Sequence, residues 1–319
     1  MKSRKAESKT FDNVVAIVGP TAVGKTAAAV ELVYELGGEI VSADSMAVYR
    51  GMDIGTAKPT SEELRGAAIH LIDVADPAQP FSVGEYASLA QNALDDVLKR
   101  NPPAVLVGGS GLYVRAAIDG LAPSVPAADG SLRRELEEEA RVHGKEYVHS
   151  RLAKVDPESA SRIHPNNLKR VIRALEIYEA TGEAPSTLFG EDSKRAPRYP
   201  GTRFFGLTMD REALYERVDR RVDAMMEAGL VDEVAGLIER GVDTEFPSMQ
   251  GLGYKEISEF LKGRCSKEEA VALIKRSTRQ FAKRQYTWFR ADKRIVWMDV
   301  QDRTARDVSR LIKESLSDE

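Results

Sequence analysis

The sequence lacks features that several protein classes require. Its single cysteine, Cys265, excludes a disulfide framework and a cysteine-built zinc site, so a reducing cytosol is the expected compartment. The four histidines are scattered and show no metal-ligand spacing. No apolar run approaches the roughly 18 residues of a membrane-spanning helix, and residues 1–12 lack the apolar stretch of a signal peptide. We therefore expect a cytoplasmic protein without a membrane segment, in which residues 1–12 form a flexible tail.

The charge balance excludes little. The 319 residues carry a formal net charge of −4, which neither requires nor rules out a nucleic-acid partner, because the clustering of charges matters more than their sum. The length is sufficient for a full hydrophobic core, in one large domain or in two smaller ones.

The most informative stretch is an apolar run that leads into a glycine-rich loop. Residues 14–18 are rich in β-branched side chains, as is typical of a buried parallel strand. Residues 27–36 are rich in helix formers and are followed by two glycines. The loop between them has the pattern of a phosphate-binding loop, in the strand, loop and helix order that this motif requires. Its residues are Gly19, Pro20, Thr21, Ala22, Val23, Gly24, Lys25 and Thr26.

Such a loop binds an anion at the N-terminus of a helix. Backbone N–H groups of residues 22–26 are expected to point at the phosphate, while Lys25 adds a positive charge and Thr26 offers a hydroxyl to Mg²⁺. The loop alone leaves open whether the phosphate belongs to a nucleoside triphosphate or is a pyrophosphate on another molecule.

Two further strand ends are expected near this loop. Residues 39–43 form a short apolar strand that ends at Asp44, and residues 103–107 form another that meets a glycine-rich turn containing Ser110. Because the carboxyl ends of parallel strands carry the site in α/β sheets, Asp44 and Ser110 should lie close to the phosphate loop. A lone aspartate in this position could also simply cap a turn. The long connection that follows, residues 46–59, is of the kind that is usually functional.

These features predict an α/β fold with a P-loop parallel-sheet core, like that of nucleoside triphosphate hydrolases. We assign residues 13–123 and 201–319 to this core. Residues 124–200 are helical in pattern, polar and free of strand signals, and we expect them to form an all-helical insertion. Two additional core strands are predicted at residues 70–74 and 203–208.

Several helix starts can be recognised from their capping residues. Ser82 with Glu85, and Ser266 with Glu269, match the capping box, in which two side chains satisfy free backbone N–H groups. Asp210 is the expected cap of a helix that reaches about residue 228.

The last large helix, predicted for residues 266–290, lies in a basic segment. Residues 264–294 contain ten basic and three acidic side chains, interleaved with Phe281, Tyr286 and Trp288. Either the helix is solvated with its aromatic side chains in the core, or it forms a nucleic-acid contact surface.

Taken together, these motifs resemble the tRNA dimethylallyltransferases of the bacterial type, also called tRNA isopentenylpyrophosphate transferases. The resemblance covers most of the chain. It is carried by residues 19–26, by Asp44-Ser-Met-Ala-Val-Tyr-Arg-Gly-Met-Asp-Ile-Gly-Thr-Ala-Lys-Pro59, by Val107-Gly-Gly-Ser-Gly-Leu-Tyr113, by Arg173-Ala-Leu-Glu176, by Gly253-Tyr254 and by residues 278–290.

The resemblance implies a prenyl transfer. The dimethylallyl group would pass from dimethylallyl pyrophosphate to the exocyclic N6 of an adenine next to the anticodon of tRNA, giving N6-isopentenyladenosine and pyrophosphate. The phosphate loop would then hold the pyrophosphate, with Mg²⁺ near Thr26. The implied partners are a tRNA anticodon stem-loop and the prenyl donor, and we expect a monomer.

The resemblance also implies roles for individual residues. Asp44 would be the general base that accepts the amine proton, Ser110 would keep the hydroxyl that a family threonine supplies, and Arg217 would bind pyrophosphate. Ala47 stands where the family has glutamine, so a contact with the target adenine or its neighbour would be lost. The residues implied to contact tRNA are Asp44, Ser45, Met46, Ala47, Ser110, Arg133, Lys169, Arg170, Arg173, Gln250, Lys255, Arg279, Gln280, Lys283 and Arg284.

Three other functions remain open at this point. A P-loop kinase would use the same loop to consume ATP. An adenylate isopentenyltransferase would prenylate a free nucleotide, although a mononucleotide needs neither a helical insertion nor a basic helix. An RNA-binding protein with a decayed site would retain the binding surface without the chemistry, and only Ala47 supports it.

Overall fold

A six-stranded, fully parallel sheet forms the centre of the computed structural model, which describes residues 14–100, 103–120, 130–192 and 197–317. Its strands are β1 (Val15–Val18), β2 (Glu39–Ser42), β3 (Ile69–His70), β4 (Ala104–Gly108), β5 (Arg203–Thr208) and β6 (Ile295–Asp299). They lie in the order β3, β2, β4, β1, β5, β6. This confirms the predicted α/β class. The predicted tail, residues 1–12, and the predicted start of the insertion, residue 124, lie outside the described residues.

Helices follow most of the strands. They are α1 (Lys25–Leu36), α2 (Ser61–Leu64), α3 (Val83–Arg100), α4 (Gly111–Asp119), α5 (Gly130–His143), α6 (Lys145–Val155), α7 (Pro157–Arg162), α8 (Leu168–Thr181), α9 (Pro185–Asp192), α10 (Arg211–Glu227), α11 (Leu230–Glu239), α12 (Tyr254–Leu261), α13 (Lys267–Arg290) and α14 (Ala305–Ser317). Within the described residues, none of these helices is both long and apolar enough to cross a membrane.

Strands β1, β2 and β4 are buried along their whole length, as their apolar residues require. Alternate residues of β1 point to opposite sides, so Ala16 and Val18 join one apolar cluster and Val15 and Ile17 join the other. Helices α3, α4 and α10 to α13 contribute to the first cluster, and α1 and α14 contribute to the second. A buried parallel sheet of this kind leaves only its strand ends free to form a site.

Helices α5 to α9 pack around an apolar cluster of their own. Leu136, Val148, Leu152 and Ile172 are buried at its centre. The buried carboxylate of Asp156 accepts hydrogen bonds from the N–H groups of Ser159 and Ser186, and it thereby joins α7 to α9. These helices span residues 130–192, within the segment that the sequence predicts as an insertion, and its status as a separate domain stays a prediction.

The capping boxes are confirmed, whereas one strand is shorter than predicted. Ser266 and Glu269 exchange both capping hydrogen bonds at the start of α13, and Ser82 and Glu85 do so before α3. The strand predicted for residues 70–74 ends at His70, because Leu71 and Asp73 adopt positive φ angles of 64° and 60° that interrupt an extended chain. Elements β6, α2, α4, α12 and α14 were not predicted.

Gly108, the last residue of β4, gives a direct test of how closely the strand ends approach each other. A Cβ atom on Gly108 would lie 2.0 Å from the carbonyl oxygen of Ala43, which follows β2. We expect Gly108→Ala to lower the free energy of unfolding by roughly 1–3 kcal/mol, because backbone must move apart. The same change at Gly236, in α11, meets only a flexible arginine end at 3.6 Å and should raise that free energy by roughly 0.5–1 kcal/mol. Urea unfolding measures both, and an unchanged midpoint for Gly108→Ala would contradict this account.

Candidate functional site

The phosphate loop lies between β1 and α1 with a backbone shape that suits an anion. Gly19 has a φ of 143°, and a Cβ atom there would lie 2.7 Å from the carbonyl oxygen of Leu207 in β5. Ala22 and Gly24 are both left-handed, with φ angles of 65° and 99°. When left-handed residues alternate with residues of negative φ, successive N–H groups point toward a common centre. The loop thereby forms a concave anion site at the N-terminus of α1.

Lys25 is folded back against its own loop. Its Nζ donates a hydrogen bond to the Pro20 carbonyl oxygen at 2.6 Å. Burial, together with the positive charge of Arg221, lowers the pKa of Lys25 to about 7, and the Asp44 carboxylate opposes this shift. An anion bound at the loop would supply the missing negative charge and favour the protonated form.

A pocket of about 750 Å³ opens beside the loop, and we call it the phosphate pocket. Its lining includes Lys25, Thr26, Glu63, Arg217, Arg220 and Arg221. The three arginines share one face of α10, because they are spaced three and four residues apart. The structure therefore brings the predicted Arg217 into the same pocket as Lys25 and Thr26, and it adds two arginines.

A second, more enclosed cavity of about 330 Å³ adjoins the first, and we call it the reaction cavity. Asp44, Ser110 and Arg284 line it together with apolar side chains from α10 and α13. Arg221 lines both spaces. Burial lowers the pKa of Arg221, while the Asp44 carboxylate opposes that shift. Arg221 thus lies where the anion site and the carboxylate meet, a position that sequence analysis did not assign to it.

Asp44 does cap a turn, and one of its oxygens stays free. Oδ1 accepts hydrogen bonds from the N–H groups of Met46 at 2.8 Å and Ala47 at 3.3 Å. Oδ2 accepts no hydrogen bond from the part of the chain that the structure describes. The carboxylate is therefore held by one oxygen and can accept a proton at the other.

Ser110 links the two strand ends that flank the reaction cavity. Its Oγ accepts a hydrogen bond from the Ser45 N–H at 3.0 Å and donates one to the Ser45 Oγ at 3.1 Å. Its own N–H donates to the carbonyl oxygen of Ala43 at 3.2 Å. Ser110 and Asp44 lie at the same sheet edge, as predicted, and the Ser110 hydroxyl already has a partner in Ser45.

Gln285, on α13, joins the phosphate loop to the glycine-rich turn after β4. Its Oε1 accepts a hydrogen bond from the Thr21 N–H at 2.8 Å, and its Nε2 donates one to the Gly109 carbonyl oxygen at 2.9 Å. The side chain is buried, and a Cβ atom on Gly109 would lie 2.3 Å from Nε2. Sequence analysis did not identify this role. The available signal was a glutamine on the apolar face of α13, between Ala282 and Phe289.

The Glu233 carboxylate holds one segment of the connection after β2. The N–H groups of Asp53, Ile54 and Gly55 donate to Glu233 at 2.8, 2.7 and 3.1 Å, and the Tyr254 hydroxyl donates to it at 2.6 Å. Gly55 must be glycine, because a Cβ atom would lie 2.5 Å from the Tyr254 ring. Glu233 therefore shapes the wall of the reaction cavity from α11, and no local sequence pattern indicates this role.

Ala47, which stands where the family has glutamine, is a buried residue beside the site. Its side chain is 6% exposed and contributes to the core, not to the lining of either space. Only its backbone N–H contacts the site, through Asp44. Ala47 lies within the turn that Asp44 caps, and its contact with an adenine stays a prediction.

The other residues predicted to contact tRNA lie on several surfaces. Arg133 and Arg173 both pair with the buried Glu176 carboxylate, at 2.8 Å and 3.3 Å. Arg279 pairs with Asp219 at 3.2 Å. Gln250, Met46 and Ser45 line the reaction cavity, whereas Lys169, Arg170, Lys255, Gln280 and Lys283 are exposed outside it.

The described residues contain no group of three or more His, Cys, Asp or Glu side chains that could hold a metal ion. The phosphate pocket does contain hard oxygen donors, the Thr26 hydroxyl and the Glu63 carboxylate. This donor chemistry suits Mg²⁺, which keeps most of its waters and takes its remaining ligands from substrate phosphates.

Comparison with known proteins is consistent with this geometry. The family model described as IPP transferase matches residues 47–292. A tRNA dimethylallyltransferase of Desulforudis audaxviator is 50% identical over 289 residues, which are 91% of this chain and 92% of the relative. The tRNA isopentenylpyrophosphate transferase of Bacillus halodurans, known from a crystal structure, is 44% identical in sequence to this chain. The two structures match with a TM-score of 0.69 over 96% of this chain and 97% of that one. A eukaryotic dimethylallyltransferase acting on tRNA is 28% identical, with a TM-score of 0.78, over 96% of this chain and 79% of that one. The chain belongs to the IPP transferase family.

Proposed function

We propose that this protein transfers a dimethylallyl group from dimethylallyl pyrophosphate to N6 of an adenine next to the anticodon of tRNA. The products are N6-isopentenyladenosine and pyrophosphate. One observation carries the proposal: the cationic phosphate pocket and the reaction cavity share Arg221, so the pyrophosphate of a small donor can be held in the pocket while the Asp44 carboxylate faces the attacking amine in the cavity. The names of the relatives support the same reaction.

The two spaces match the two ends of the donor. Its pyrophosphate fits the phosphate loop, Lys25 and the arginines of α10, where charge that develops on the leaving group is stabilised by donors already in place. Its five-carbon tail fits the apolar wall that Val218, Val222 and Met225 give to the reaction cavity. Water is poorly accommodated against such a wall, and its exclusion protects the reactive carbon from hydrolysis.

The chemical step needs a proton acceptor on the adenine side. The N6 nitrogen attacks the C1 carbon of the donor, the bond from C1 to the pyrophosphate oxygen breaks, and the nitrogen loses one proton. We assign that proton to Oδ2 of Asp44, which is free of hydrogen bonds within the described part of the chain. The pyrophosphate departs with both bonding electrons into the phosphate pocket.

Mg²⁺ is proposed as the metal of the phosphate pocket. Thr26 would supply a hydroxyl ligand, and Glu63 would hold a metal-bound water across the pocket. When bound, the ion would neutralise charge on the pyrophosphate.

The tRNA is proposed to approach across helices α5 to α9 and α13. The target base must leave its stack to reach the reaction cavity, and a single-stranded loop makes this inexpensive. Arg133, Arg173, Lys283 and Arg284 are candidates for phosphate contacts because each reaches solvent. The expected monomeric state and cytoplasmic location stay predictions.

The test of the proposal is a mass-spectrometric digest of an unmodified tRNA that carries adenines 3′ of its anticodon. The protein is incubated with this tRNA, Mg²⁺ and dimethylallyl pyrophosphate, and a parallel tube contains ATP instead. We expect one adenosine to gain a five-carbon unit in the first tube only. Prenylation of AMP, in a third tube that contains AMP in place of tRNA, would indicate a nucleotide prenyltransferase. ATP consumption with unchanged RNA would indicate a kinase.

Asp44→Asn tests the general base without removing the turn. Asparagine keeps an oxygen that can accept the same two backbone hydrogen bonds, so we expect wild-type stability and tRNA affinity. Turnover should fall by roughly 10²- to 10⁴-fold, because the proton loses its acceptor. Asp299→Asn is the matched control, since Asp299 caps a turn through the Gln301 N–H at 2.9 Å outside the site. Turnover of Asp44→Asn within a few-fold of wild type would rule out this role for Asp44.

The lowered pKa of Lys25 predicts proton uptake when pyrophosphate binds. With a pKa of about 7, Lys25 is mostly neutral at pH 8 in the free protein, and a bound anion raises that pKa and protonates it. Proton uptake should therefore approach one proton per bound pyrophosphate near pH 8. It should fall toward zero below pH 6, where Lys25 is already charged. Titration calorimetry in two buffers of different ionisation enthalpy measures it. Lys25→Met corrects for protons that pyrophosphate itself exchanges, and equal uptake by both proteins would contradict the assignment.

A further inference from the structure

A third cavity lies beside the reaction cavity and has no role in the reaction above. It measures about 730 Å³ and is lined largely by apolar surface between α4, the end of α13 and the start of β5 and β6. We call it the flanking cavity. Its lining includes Gly111, Val114, Phe204, Arg284, Trp288 and Ile295. Arg284 belongs to both cavities, so the two are neighbours across one side chain.

Trp288 gives the flanking cavity an exposed aromatic surface. It is 42% exposed, although its neighbour Phe289 is buried. The indole lies against the N-terminus of α4, where a Cβ atom on Gly111 would come within 2.1 Å of its Cδ1 and Nε1 atoms. The ring is therefore fixed at one edge while part of it remains open to solvent, which is an arrangement suited to stacking.

The rim of the flanking cavity is cationic. Arg115, Arg284, Lys293 and Arg294 line it, against the single carboxylate of Asp292. Arg294 is committed to Asp119 and Asp292, at 2.6 Å each. Arg284 and Lys293 have no ion pair within the residues that the structure describes, so their charges are available to a ligand. An aromatic floor with a cationic rim is the combination that binds single-stranded nucleic acid.

The register of α13 connects this cavity with the reaction cavity. Phe281, Arg284 and Trp288 follow one another along the same side of the helix, at spacings of three and four residues. Phe281 lines the reaction cavity, Arg284 lines both cavities and Trp288 lines the flanking cavity. Seven residues of helix separate the two aromatic rings by about 10 Å, a distance that a splayed nucleotide linkage can bridge.

We propose that the flanking cavity receives the nucleobase of a nucleotide adjacent to the target adenosine, stacked on Trp288, with Arg284 contacting the phosphate between the two nucleotides. The inference rests on the proposed function and extends it to the neighbouring base. Stacking on an indole accepts any base, because every base has an aromatic face. The cavity therefore supplies affinity and holds the loop open, and it does not read the identity of the base.

The test combines a protein change with an RNA change. Affinities for an anticodon stem-loop are measured for wild type and Trp288→Ala, with the intact loop and with loops that are abasic at the 5′ or the 3′ neighbour of the target adenosine. Wild type should bind one of the two abasic loops with about tenfold lower affinity than the intact loop. Trp288→Ala should bind the intact loop with about tenfold lower affinity than wild type. Its affinity for that abasic loop should be little lower still, because the stacked pair is already missing.

Two further variants keep the test informative if Trp288→Ala is unstable. Trp288→Phe retains an aromatic face and should recover most of the affinity for the intact loop. Gly111→Ala should displace the indole and reproduce the defect without changing Trp288, since its Cβ atom would occupy the position of the ring. Tyr34→Ala removes an aromatic residue that is 66% exposed on α1 and should bind like wild type.

The outcomes separate the subsite from the proposed function. The subsite would be overturned if the loss of affinity caused by Trp288→Ala simply added to the loss caused by each of the two abasic loops. An unchanged affinity of Trp288→Ala for the intact loop would also overturn it. Prenylation of the intact stem-loop by wild type is measured in parallel. Failure there would overturn the proposed function, whereas prenylation with additive losses would overturn only the flanking subsite.

Discussion

The side-chain amide of Gln285 is the interaction on which the arrangement of the site depends. It is buried, and it satisfies one N–H of the phosphate loop and one carbonyl of the turn after β4. The hydrogen bond to the Gly109 carbonyl is buried, so loss of the amide would leave that carbonyl unsatisfied, at about 1–3 kcal/mol. The same hydrogen bonds fix the rotation of α13. Phe281, Arg284 and Trp288 consequently line the two cavities.

Features with a local physical cause could be predicted from the sequence. The phosphate loop is specified by consecutive residues, and the start of α13 is specified by Ser266 and Glu269, three residues apart. Strand β3 was predicted too long, because left-handed backbone at Leu71 leaves no mark in an apolar pattern. Glu233 could not be found, since its three amide donors lie 178 to 180 residues away in the chain. Such a carboxylate is recognisable only when the fold brings the two segments together.

The Asp44 carboxylate, at the end of β2, shows that a structural role and a proposed catalytic role can belong to one residue. Asp44 is both the cap of a turn and the candidate base, because its two oxygens face different surroundings. Arg221 likewise combines two tasks. It lines the anion site and the reaction cavity, and its Nη2 donates to the Thr56 carbonyl oxygen at 3.3 Å. The resemblance to a family supplied Arg217 by alignment, whereas only the three-dimensional arrangement identifies Arg221 as the residue at the junction.

The pairing of Arg133 and Arg173 with the buried Glu176 carboxylate has a consequence for selectivity among polyanions. Each guanidinium is held by an ion pair in the free protein, so part of its rotamer entropy is lost during folding and would not be lost in the proposed association with RNA. Two cations that share one anion also present a reduced net charge. Their attraction for an arbitrary phosphate chain is weaker, while a backbone of matching curvature still meets two correctly oriented donors. Under the proposed tRNA contact, the helical cluster would therefore distinguish RNA by its shape more than by its charge density.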